Sequence, residues 1–371
     1  MKRILLLALL LALPVTITHG DEFDFKESFA VTPGGTFNLL SDYGEVEIKA
    51  WEKNEVLVIG EGISDKNQAG FTVDQRGNSI YIVFKNNKRW GDGIKFIVTI
   101  PSKFNLNINT AAGDISLLNN ITGNHILFTA GGDITTKNIA GDLDASTSGG
   151  EIKMGSVTGK VKAKTAGGDV IAADISGDTH LLTSGGNIVA GTLGGNAKLG
   201  TAGGDIQVNT VTGEASLKTS GGNVSASLLK GNSELATAGG SINVNSAVGK
   251  LIAKTSGGEV VIKNLGSDAE IKTAAGDISV SFSANNTGKV RISNSAGDVV
   301  VNLPSTIKAT LKGNVSSFGW GDEVTDEVQS DFPVTTKKSG GKVLVNCNIN
   351  GGNGATISVD LTMGSLKIRK L

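Results

Sequence analysis

Thr129-Ala130-Gly131-Gly132-Asp133-Ile134 returns as Thr147-Ser148-Gly149-Gly150-Glu151-Ile152 and as Thr165-Ala166-Gly167-Gly168-Asp169-Val170. The phrase opens again at Thr183, Thr201, Thr219, Thr237, Thr255 and Thr273, and every step from Thr129 to Thr273 is 18 residues. A looser copy begins at Thr110, 19 residues before Thr129, and a last echo at Asn294, 21 residues after Thr273. Self-similarity at a fixed period marks a repeat architecture.

Between phrases the apolar residues alternate with polar ones. After Thr201 they fall at Ile206, Val208, Val211, Ala215 and Leu217, with a further glycine at Gly213. Alternation of period two, punctuated by glycine, reads as two short strands per unit, each closed by a turn. Eighteen residues at ~3.3 Å give roughly 60 Å of contour, enough for two sides and two corners. One unit per coil stacks each residue on its equivalent about 4.8 Å away. Between Thr110 and Val299 the only aromatics are Phe128 and Phe282. Ile, Val, Leu, Ala and Thr suit the narrow lumen between two sheets ~10 Å apart. The residue after the Thr alternates Ala and Ser, which leaves a 36-residue coil open. Such a coil would enclose a lumen too wide for Ala and Val to fill, so the 18-residue coil is preferred. The expected fold is all-β, a parallel β-solenoid of about ten 18-residue coils with β-rich caps at both ends.

The flanks divide the chain further. Residues 1–20 read as a signal peptide: Lys2 and Arg3, an apolar run Ile4 to Leu13, then Pro14 and small residues near Gly20. Residues 21–108 read as an N-terminal β cap region, 109–300 as the 18-residue-repeat solenoid and 301–371 as a C-terminal β cap region. The three tryptophans, Trp51, Trp90 and Trp320, all lie in the flanks, where a terminal coil must be shielded.

Composition narrows the function. With the leader gone, the 34 basic residues fall to 32 against 35 acidic, which gives no basic stripe for nucleic acid. Cys347 is the only cysteine, so neither an intramolecular disulfide nor a thiolate metal cluster is expected. No stretch after the leader is long enough for a transmembrane helix. Nothing in the residues calls for a cofactor.

The strongest site candidate is the column of acids after Gly-Gly, led by Asp114, Asp133, Glu151 and Asp169. Stacked carboxylates could hold Ca²⁺. The same position also suits a turn in which Asp or Asn accepts backbone N–H groups. Asn187, Asn223 and Ser241 interrupt the column, which favours the turn role. His125 and His180 are isolated and read as surface residues. No Arg lies between Thr110 and Val290, so the carboxylate-plus-base site of a polysaccharide lyase is not foreseen. Trp90 and Trp320, each beside Gly and Asp, are the candidate ligand contacts, by the stacking chemistry of exposed rings.

Pro33-Gly34-Gly35, Tyr43-Gly44-Glu45-Val46-Glu47-Ile48, Trp51, Ile100-Pro101 and Thr110-Ala111-Ala112-Gly113-Asp114-Ile115 resemble the bacterial "putative adhesin" family of secreted, Gly-Asp-rich β-solenoid proteins. The tail from Gly351 through Gly364-Ser365-Leu366-Lys367-Ile368 is similar to that family's closing strands. The resemblance implies an envelope or surface location and an adhesive or scaffolding role, and supplies no catalytic residues. The expectation is a non-enzymatic, exported, adhesin-like protein that binds a surface glycan or protein. Self-association as an envelope scaffold is the alternative.

Overall fold

The computed structural model describes residues 23–63, 70–85, 93–316 and 327–371. It is all β, and no helix among those residues is long and apolar enough to cross a membrane. Along the repeats each strand pairs in parallel with the strand 18 residues on. Ile134 meets Ile152, which meets Val170, and Leu143 meets Val161, which meets Thr179. The coil is therefore 18 residues, and the Ala/Ser alternation only decorates successive coils.

Each coil has three sides rather than the two expected. In the coil after Thr129 they are Ile134–Thr136, Ile139–Ala140 and Leu143–Ser146. In later coils the first two fuse, as in Ile206–Val211, but the alternation slips at Asn209-Thr210, where two successive residues face outward. The chain bends there, and Val211 turns inward as the middle side's core residue. A single apolar residue between polar ones carries no period, so sequence could not mark this side. The inward residues form one continuous buried column from Phe29 to Ile368.

The recurring Thr holds neighbouring coils together. Thr201 is buried; its hydroxyl donates to the carbonyl of Gly186 in the preceding coil (2.8 Å) and accepts the N–H of Gly204 (3.3 Å). The same pair of bonds recurs at Thr147, Thr165, Thr183, Thr219, Thr237 and Thr255. Where the Thr gives way to Asn294, the side-chain amide donates to Gly276 O and Gly297 O, both at 3.0 Å. Thr201→Val keeps the shape but strands a buried donor and a buried acceptor. It is expected to cost about 1–3 kcal/mol in urea unfolding, whereas Thr201→Ser should cost less. Equal losses for the two would mean the hydroxyl contributes nothing.

Both flanks continue the same ladders instead of ending them. At the N-terminal end, Thr36–Ser41 lies between Ser79–Phe84 on one side and Asn105–Thr110 on the other. The chain lays down a coil, steps outward to build another on top, then returns underneath to start the repeats. Phe23–Ala30 and Phe71–Arg76 close that end as antiparallel strands. Rings fill the wide terminal coil: Phe84 stands 5.6 Å from Tyr43, 5.9 Å from Phe96 and 6.3 Å from Phe71.

The C-terminal end mirrors this. Ala355–Met363 inserts between Lys289–Ala296 and Ala309–Ser316, so the tail of the chain fills a level left open earlier. Its return turn runs through Asn350, Gly351, Gly352 and Asn353, all at positive φ, which glycine and asparagine accept at least cost. The antiparallel pair Lys342–Ile349 and Thr335–Ser339 covers the end. Cys347 is buried there and its thiol donates to Pro333 O.

Candidate functional site

The acidic column proves to be part of the scaffold. The backbone N–H of Asp133 donates to Asp114 Oδ1 (2.8 Å), and that of Glu151 to Asp133 Oδ1 (2.7 Å). Asp169 accepts from Asn187 N–H (2.6 Å), and the ladder runs on through Asn187, Asp205, Asn223 and Ser241. Asn and Ser substitute because one acceptor oxygen is all a level uses; among the described residues the Glu151 and Glu259 side chains make no such bond, and the ladder is interrupted there. No group of three or more His, Cys, Asp and Glu able to hold a metal ion occurs among the described residues. The other two corners carry similar ladders: Asn138 to Ser156 N–H on one, Asp142 to Lys160 N–H on the other.

His125 is not a surface residue. It is 1% exposed and faces inward, in register between Leu106 and Leu143. Neither ring nitrogen has a hydrogen-bond partner, and burial pushes its pKa down to about 4. His180 does face outward, half-buried, with Lys162 and Lys198 as its register neighbours. Its pKa is lowered, first by burial and then by Lys198, Lys164 and Lys162. Trp90 and Trp320, like the leader 1–20, lie outside the described residues.

The structure brings together a different set of side chains. A groove of about 960 Å³ follows the third side of the solenoid, lined from Asn124 at one end to Ile252 at the other. Its corner positions, Asn124 to Lys250, span seven strand spacings of about 4.8 Å, roughly 34 Å. The first outward column of the third side runs Ile126, Asp144, Lys162, His180, Lys198, Ser216 and Glu234. At one end Ile126 and Phe128 are exposed apolar residues on the same strand, 54% and 38% accessible. Ion pairs sit at both ends: Lys162 with Asp144, Lys218 with Glu234 and Lys254 with Glu270, each at 2.8 Å. Sequence reasoning missed this face, although 18-residue steps through Lys162, His180 and Lys198 carried its signal.

The groove presents side chains only, because the backbone groups beneath it are spent in the ladders. It brings no nucleophile, base and orienting partner together; what it offers is an extended set of charged, amide and apolar contacts.

Solved structures similar to the chain include a "putative adhesin" from Bacteroides fragilis (11% identity, 94% of this chain and 97% of that one, TM-score 0.24). Two others are a "putative cell adhesion protein" from Clostridium sporogenes (12%, 94% and 100%, TM-score 0.18) and a "putative lipid binding protein" from Parabacteroides distasonis (15%, 94% and 96%, TM-score 0.23). At those TM-scores the superpositions carry no argument about this chain. No curated protein matches it. The model of the Toastrack DUF4097 family matches residues 40–228 and again 195–331, well over half of the sequence, and the chain belongs to that family.

Proposed function

We propose that this is an exported, non-enzymatic, adhesin-like protein of the bacterial envelope that holds an extended ligand along the third side of its solenoid. The observation that carries the reading is the groove from Asn124 to Ile252, which repeats small sets of contacts over many coils. Such a surface favours several weak contacts engaged at once over one deep pocket. A leader-like segment at residues 1–20 supports export. The scaffold alternative, in its end-to-end form, requires free ends. Thr335–Ser339, the outermost strand at one end, is exposed along its length and carries Lys337 and Lys338, a lysine-bearing edge of the kind that discourages strand addition.

The mature chain should be retained on at least one class of an immobilised panel of neutral glycans, acidic glycans and matrix proteins. It should remain monomeric by light scattering. Filaments with no retention on any class would replace binding with scaffolding.

A further inference from the structure

Charge along the third side is not evenly compensated. Lys162 is held by Asp144, and Lys218 by Glu234. Between these pairs, Lys164 and Lys198 have no carboxylate partner among the described residues. Asp142 and Asp178, on the neighbouring corner, are engaged by the N–H groups of Lys160 and Asn196 at 2.7 and 3.1 Å. Glu214 closes the far corner. His180 sits inside this window with Nε2 shielded and unpartnered. Its pKa is lowered first by burial and then by the flanking Lys198, Lys164 and Lys162.

Resting on the binding reading above, we propose that this window is a subsite for the carboxylate groups of an acidic polysaccharide laid along the stack. Lys164 and Lys198 are its polar contacts, and Phe128 and Ile126 are its apolar platform. The occupant follows from what the face lacks and offers. A peptide strand needs free backbone groups to pair with, and here they are consumed between coils. A sugar chain needs only side chains. Amides and hydroxyls such as Asn196, Ser216 and Asn232 line the groove for its hydroxyls, and the exposed Phe128 ring gives a flat surface for a pyranose face. Charge-assisted hydrogen bonds from lysine to carboxylate then supply selectivity for acidic over neutral chains.

The test uses the mature chain with polygalacturonate, its methyl ester and polyglutamate as probes, read by calorimetry. Polygalacturonate should bind, and the ester should bind about tenfold more weakly or worse. Lys164→Ala with Lys198→Ala should cause a loss of similar size, and Phe128→Ala a smaller one. Lys153→Ala with Lys263→Ala, on another side of the solenoid, should change nothing. All of these side chains lie on the surface, and unchanged melting of each variant shows that folding is not being read. Equal binding of acid and ester overturns the proposal, as does indifference to the lysine pair. Polyglutamate binding as tightly as polygalacturonate would make the occupant an acidic peptide instead. If none of the three probes binds while the broader panel retains the protein, the subsite fails and the binding function stands.

Discussion

Gly132→Ala should destabilise the protein by about 3 kcal/mol or more, while Gly131→Ala, one residue earlier, should be neutral or stabilising by about 0.5 kcal/mol. The two glycines look alike in the repeated phrase, but they face different surroundings. A Cβ at Gly132 would overlap the carbonyl oxygen of Gly113 in the coil below; one at Gly131 would have nothing within 4 Å. The overlap recurs at Gly150, Gly168, Gly186, Gly204, Gly222, Gly240 and Gly258, each against the second glycine of the previous coil. Backbone that is hydrogen-bonded on both sides cannot shift to relieve it. The sequence supports this distinction. In the three degenerate phrases the first glycine becomes Ala112, Ala275 or Ala296, while Gly113, Gly276 and Gly297 persist. Chemical unfolding of both variants followed by circular dichroism measures the difference. Equal losses would show that close approach is not what keeps the second glycine.

His125→Leu should stabilise the protein, and by more as the pH falls. The ring is buried with two unpartnered nitrogens, and leucine occupies the register positions on either side, Leu106 and Leu143. Its folded pKa, about 4, lies below the ordinary histidine value of 6.5, so between those values the unfolded chain binds the proton more tightly. The stability that depends on neutral His125 is thus complete above about pH 6.5. It drains away as pH falls toward 4, by about 3 kcal/mol in all. The gap between variant and parent in urea unfolding should therefore widen by about that much from pH 7 to pH 4. A gap independent of pH would place the ring in contact with water.

The parts of the fold that were legible are those where one residue type does one job at every level. Thr, the second Gly and the acid that follows each serve a contact to the next coil, so the period stands out in the sequence. The middle side was not legible because Val211 or Leu229 alone makes no pattern. The threading of Ala355–Met363 back into the stack was not legible either. Residues 301–371 do not repeat, and parallel pairing at long range leaves no local mark.

The site shows the same division. The acidic column was visible and its turn role follows from its tolerance of Asn and Ser. The window around His180 depends on which lysines are already paired, and Lys218 reaches Glu234 diagonally across strands. Only the folded coil decides that. His125 was misread because a lone histidine says nothing about facing, although its distance from Leu143 is one full repeat.

The proposed function requires this solenoid to work outside the cytoplasm as a binding surface. The direct measurement places an epitope at the Asn209-Thr210 bend and exposes intact cells to protease. Loss of the epitope from intact cells is the predicted result and puts the groove where an external ligand can reach it. Protection that persists until the outer membrane is permeabilised would contradict surface adhesion and move the protein to a periplasmic, scaffolding role.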